Sequence, residues 1–171
     1  MTSLFDTKPA LAKVYVNAPI EEIIVHTVEL SHPQFSKTHR LVAYPEDLTC
    51  NIALTGSDRH VFTSYPFRIS LPANDGTGQQ SLTVAFANAT RELSYELERA
   101  AKDPLSIIQL VYRVYLLSDL DTMQASPIRM SISAVSMTNE SINATASRID
   151  LLNKPFPNTV YRNDLFPGLV R

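Results

Sequence analysis

Apolar and polar residues alternate along most of this chain with a period of two, and a helical period interrupts the alternation once. Residues 23–30 (IIVHTVEL) are rich in β-branched side chains and stop at Ser31-His32-Pro33, which predicts a strand closed by proline. Short apolar runs at 40–44 (RLVAY), 49–54 (TCNIAL) and 60–65 (HVFTSY) are separated by Pro45-Glu46-Asp47 and Gly56-Ser57-Asp58, and predict three more strands. The runs 68–71 (RISL) and 81–86 (SLTVAF) flank Asn74-Asp75-Gly76-Thr77-Gly78. Glycine tolerates φ > 0 and Asn and Asp suit tight reversals, so these two runs are predicted to be antiparallel neighbours, with Leu82, Val84 and Phe86 on one face.

After this hairpin the period changes. In NATRELSYELERAAKDP, Leu93, Leu97 and Ala100 or Ala101 recur at helical spacing, Asn88 is an acceptable N-cap and Pro104 ends the element. A helix over about 89–102 follows, with Glu92, Glu96, Glu98, Arg91 and Arg99 expected on a solvated face of mixed sign. Beyond it, residues 105–117 (LSIIQLVYRVYLL) place Ile108, Leu110, Tyr112, Val114 and Leu116 on a core face, with Ile107, Gln109, Val111, Arg113 and Tyr115 opposite. Residues 127–137 alternate Ile128, Met130, Ile132 and Ala134 against Arg129, Ser131 and Ser133, and 141–149 turn Ile142, Ala144 and Ala146 inward. The fold class predicted is mainly β (β-rich α+β): an antiparallel barrel or sandwich with one helix and an irregular C-terminal arm. One domain, 1–171, divides into a lead-in (1–20), a β-rich core (21–150) and the arm (151–171).

Composition narrows the function. With 171 residues, 44% hydrophobic and 19% charged, the chain has ordinary globular make-up. A formal charge of −2 gives no long-range pull on phosphate backbones, so sequence-specific nucleic-acid binding is not expected. The run at 105–117 is interrupted by Gln109 and Arg113 and is shorter than the roughly 20 residues of a spanning helix, so stable membrane insertion is not expected either. Residues 1–10 lack the basic start and apolar stretch of a signal peptide, and cytosolic folding is the expectation. The patterns starting at Asn88, Asn139 and Asn143 that match glycosylation acceptors then read as coincidence.

The chemistry-bearing residues form no recognisable constellation. His26, His32, His39 and His60 share no paired-ligand spacing and read as packing or surface histidines. Cys50, the one cysteine, has neither a positive neighbour nor a helix start beside it and reads as a small core or half-buried thiol. Asp119 and Asp121 lack the remaining ligands of a calcium loop and read as a turn. Gly76 and Gly78 open a strand instead of a helix, which removes the N-terminus that phosphate binding uses. The residues therefore nominate no catalytic group, metal ligand or cofactor.

Taken in order, the segments YPFRISLPANDGTGQQSLTVAFANATRELSYEL, VYRVYLLSD and SISAVSMTNESINATASRIDLLNKPFPNTVYRNDLFPGL resemble an uncharacterised tail-protein family of long-tailed bacteriophages. The likeness runs over about 41–169. It is similar in gene context to tail-tip or baseplate components, including the lambda-type minor tail protein L. That larger relative carries a cysteine-bearing portion with an iron-sulfur cluster; Cys50 alone implies none here. The resemblance implies a structural subunit of a symmetric homo-oligomeric ring or hub, located in the virion tail and in the host cytoplasm before assembly. Its partners would be copies of itself, the tail tube, the hub or fibre protein and the tape measure. Under it, Asn74, Asp75, Gly76 and Gly78 form either a plain intramolecular turn or a subunit-linking hairpin, and the second is the expectation. Phe156, Tyr161, Phe166 and Leu169 become aromatic and apolar anchors of an arm whose prolines Pro155, Pro157 and Pro167 prevent it from acting as a central strand. The competing classes are a cell-wall hydrolase and a receptor- or carbohydrate-binding β-module; the absence of Trp speaks against the latter.

Overall fold

Strand β1 (Ile24–Ser31) shows how the alternation becomes architecture: Val28 and Leu30 join one apolar cluster, while Val25, an odd number of residues away, joins a second on the opposite face. The computed structural model describes residues 8, 9, 11, 12, 16, 22–71, 81–87, 91–103 and 106–147. After β1 come β2 (His39–Val42), β3 (Leu48–Asn51), β4 (Arg59–Ser64), β5 (Phe67–Ser70) and β6 (Ser81–Ala87). The helix α1 (Glu92–Ala101), β7 (Gln109–Leu116), β8 (Ile128–Met137) and β9 (Ser141–Ser147) complete the order. The strands form one sheet, β3-β4-β2-β1-β7-β8-β9-β6-β5, antiparallel at every step except β2 to β4.

The mainly β class is therefore as expected. Of the two architectures expected, the closed barrel is not reached among the described residues, because β3 and β5 end the sheet without pairing to each other. The main core is shared by β1, β2, β6, β7, β8 and β9, with Leu93, Leu97 and Ala100 of α1 packed against it. Leu11, one of the described lead-in residues, is also in this core. The smaller cluster lies on the other face of β1 and β7, where Val25, Val42, Cys50, Phe62 and Tyr115 meet. Tyr115 belongs to the face of its strand opposite the one the pattern assigns to the core, yet it is fully buried, because β3 and β4 fold across it. Its hydroxyl donates to the Asn51 carbonyl at 2.8 Å and ties the two layers together.

Three local expectations are corrected. The helix begins at Glu92 because Arg91 has φ 56, in the left-handed region, which excludes it from the helix; Asn88, the expected cap, lies outside the described residues. Glu96, expected in solvent, is 5% exposed: positions 93, 96, 97 and 100 make one stripe, and Glu96 tolerates burial because Ser36 donates to it from Oγ at 2.5 Å and from N at 3.1 Å. In β8 the partners step from Ile132↔Ala146 to Ala134↔Thr145, so Ser133 is an extra residue and Val135, in place of Ala134, packs on the main core.

Candidate interaction surface

Two residues carry the chain from one end of the sheet towards the other. β4 ends at Ser64, beside β2, and β5 begins at Phe67, on the far edge. Between them the Tyr65 N–H donates to the Val42 carbonyl at 3.0 Å, and the Pro66 carbonyl accepts from Ala87 N–H, also at 3.0 Å. So short a link requires the sheet to curl until its β2 and β5 regions face each other. Curling stops short of pairing and leaves a seam.

The seam follows β5. A hollow of about 580 Å³ lies at its lower end, between Ala43, Tyr65, Pro66 and Phe86. A second, of about 320 Å³, continues past Ile69 and Leu71 and reaches His26 and Tyr112 inside. Both include Ala43, Phe67 and Arg68, so they form one groove. Phe67 and Ile69 are half-buried against the main core, while Arg68 and Ser70 are exposed. Phe67 and Tyr65 pack on Phe86 with ring centroids 5.8 and 6.3 Å away. Leu71, 41% exposed, extends the apolar lining to the rim. On its inner side β5 pairs with β6; on its outer side it pairs with no strand among the described residues. An edge of unpaired main-chain groups beside an apolar groove can accept an extended segment, with main-chain bonds supplying affinity and alternate side chains entering the hollows.

The inner wall carries the groove's titratable group. His26 Nδ1 lies 2.7 Å from the Tyr112 hydroxyl, with the two rings nearly parallel at 13°. Burial pushes the imidazole below its ordinary pKa and favours its neutral form. Two other histidines serve as packing: His32 and His39 sit on either side of Phe35, each with its ring centroid 5.5 Å away. His60 pairs with Asp58 at 3.0 Å. Among the described residues no three His, Cys, Asp or Glu side chains gather in a way that would hold a metal ion. Cys50 is fully buried and desolvation pushes its thiol up to about 11. Asp119 is a turn residue, its Oδ1 accepting from the N–H groups of Asp121 and Thr122.

A hollow of about 550 Å³ near Asn51, Gly56, Asp121 and Gln124 is explained by structure. The Asn51 amide that faces it donates to Gly56 and Asp121 carbonyls and accepts from Ala53 and Asp58 N–H groups, which commits it to holding the loops together.

The stems of the predicted hairpin are antiparallel, from Phe67↔Phe86 to Ser70↔Thr83, as the turn chemistry requires. Asn74, Asp75, Gly76 and Gly78 at its tip lie outside the described residues, as do Phe156, Tyr161, Phe166 and Leu169 of the arm. The seam itself escaped sequence reasoning. Its signal was the Tyr65-Pro66 pair, a two-residue break between runs that alternation places in the same sheet but cannot place at opposite ends of it. A family described as a domain of unknown function (DUF1833) matches residues 10–161. None of the curated proteins matches the chain.

Proposed function

The chain belongs to that family of unknown function, and we propose that it is a structural component of a bacteriophage tail tip or baseplate. In this reading it is a non-catalytic subunit of a symmetric ring or hub layer between the tail tube and the fibre-bearing hub. Its partners are copies of itself, tube, hub or fibre protein and tape measure, and it sits in the virion tail after assembling from the host cytoplasm.

One observation carries the reading: the sheet stops short of closure beside an apolar groove, and the strand that borders the groove, β5, leads directly into a hairpin. A closed ring is built from heterologous contacts, in which one surface of each subunit meets a different surface of the next. An open strand edge is such an acceptor, and a projecting hairpin or arm is such a donor. The likeness of YPFRISLPANDGTG and LLNKPFPNTVYRNDLFPGL to phage tail proteins supplies the setting.

The test is cryo-electron microscopy of the particle encoded by the same genome. A ring of this chain at the distal end of the tail is the expected result. Its absence from the particle, or a peptidoglycan-cleaving activity in the isolated chain, would overturn the proposal.

A further inference from the structure

We infer that the seam along β5 is the docking site for the C-terminal arm, residues 151–171, of a second copy of this chain. The inference rests on the ring reading above and names the segment that joins its subunits.

The groove asks for an extended, apolar occupant. Its smaller hollow is lined by Phe67, Ile69, Leu71 and Tyr112 with His26 and Arg68, and Glu140 joins the lining at the larger one. The chain carries a segment of that character in the arm, with Phe156, Tyr161, Leu165, Phe166 and Leu169 interspersed with Pro155, Pro157 and Pro167. Proline suits such a segment to an edge or a groove and excludes it from the centre of a sheet, so β5 can receive it on one side only. Asp164 of the arm is of opposite sign to Arg68, and its cations Lys154, Arg162 and Arg171 are of opposite sign to Glu140, which lines the larger hollow.

The place where the described chain stops fits the same site. β9 ends at Ser147, opposite Ser81, and β6 pairs onward to β5 with Thr83 opposite Ser70. The chain thus leaves β9 at the Leu71 end of the groove, about 10 Å from the β5 edge at two strand spacings. A segment entering there runs antiparallel to β5. The residues after Ser147 span up to roughly 80 Å when extended. That is several times the distance to the chain's own groove and enough to reach the same groove on a neighbour. Passing each arm to the next copy uses the excess length, fills every groove in a closed ring and leaves no apolar arm in water.

Disulfide trapping on full-length chains tests this. In a Cys50→Ala background, one preparation carries Leu71→Cys, a second Phe166→Cys and a third both. Mixing the first two and oxidising mildly is expected to give a disulfide-linked heterodimer, and the third is expected to give a ladder of linked copies. Linkage within single chains of the third preparation, without the heterodimer, overturns the inference in favour of an arm that closes its own sheet. No linkage in either sample overturns it as well. Mass photometry of the unmodified chain separates this from the parent reading: closed oligomers without the heterodimer leave the ring standing and remove the arm from it.

Discussion

The Tyr112 hydroxyl and His26 Nδ1 lie 2.7 Å apart on the inner wall of the seam, where β7 and β1 pair with His26 opposite Val114 and Val28 opposite Tyr112. Strand alternation puts both side chains on the core face, two residues out of register, so the longer tyrosine reaches back to the imidazole. The contact places a titratable group on the wall of the smaller hollow.

The sign follows from burial. The folded His26 titrates below the ordinary 6.5, so the unfolded chain binds a proton that the folded chain refuses. Stability is full above that value and declines as pH falls through it, and His39, also lowered by burial, adds in the same direction. Urea unfolding at steps between pH 7.5 and 5.5 is expected to show stability falling by up to about 1.4 kcal/mol per pH unit for each histidine. His26→Asn should flatten that slope. A flat profile in the unsubstituted protein would remove the linkage.

The connection at 32–38 is fastened to α1 by two contacts of unequal worth. Ser36 donates two hydrogen bonds to buried Glu96, and these bonds hold its carboxyl below the usual carboxylate range. Lys37 and Glu92 are 2.9 Å apart but 64% and 57% exposed. Glu96→Ala, which orphans Ser36, is expected to cost about 2 kcal/mol. Lys37→Ala should cost less than about 0.5 kcal/mol, because solvent screens the pair. Equal losses in chemical denaturation would contradict this ranking.

Burial of Cys50 makes a chemical prediction. The thiol sits among Val25, Val42, Phe62 and Tyr115, and desolvation raises its pKa, leaving almost no thiolate at pH 8. Iodoacetamide should therefore leave the native protein unmodified over hours and alkylate it promptly in urea, as intact mass would record. Cys50→Ser, which places a hydroxyl in this cluster, is expected to cost about 1–3 kcal/mol, and Cys50→Ala less. Prompt labelling of the folded chain would show that β3 and β4 open readily.

Much of this fold was legible because a period of two records which side chains share a face. Ile142, Ala144 and Ala146 are buried as the alternation requires, and Leu93, Leu97 and Ala100 as the helical period requires. What alternation cannot record is the layer above a face. Tyr115 looks solvent-directed from its own strand, and it is buried because Cys50 of β3 and Phe62 of β4, distant in sequence, pack on that side; Arg113 on the same face is buried beside Glu29. Nor does it register an inserted residue: Ser133 shifts the phase of β8, so Val135 takes the inward place. The seam was hidden for a related reason. Phe67 and Ile69 announce a strand, but only the pairing order shows that it is the last one in the sheet.

The burial of Arg113 leads to the last prediction. Its Nη1 donates to Glu29 Oε2 at 2.8 Å, and the side chains are 6% and 15% exposed. Arg40, directly opposite Glu29 in the β1–β2 register, stays 3.7 Å from the same oxygen and is 24% exposed. Glu29 thus serves one buried cation and one half-buried cation. Removing it alone leaves Arg113 charged and confined, so Glu29→Ala is expected to cost about 3–5 kcal/mol. Replacing both partners by apolar side chains removes the orphan: the double variant Glu29→Leu with Arg113→Met should lie within about 1 kcal/mol of the unsubstituted protein. Arg40→Ala should cost less than about 1 kcal/mol, since its Nε stands 3.7 Å from the carboxylate and makes no hydrogen bond to it. Urea midpoints for Glu29→Leu alone, Arg113→Met alone and the two together form a thermodynamic cycle that isolates the coupling. If the double variant is as unstable as Glu29→Ala, the loss comes from packing at this site and the ion pair is not what holds β1 to β7 there.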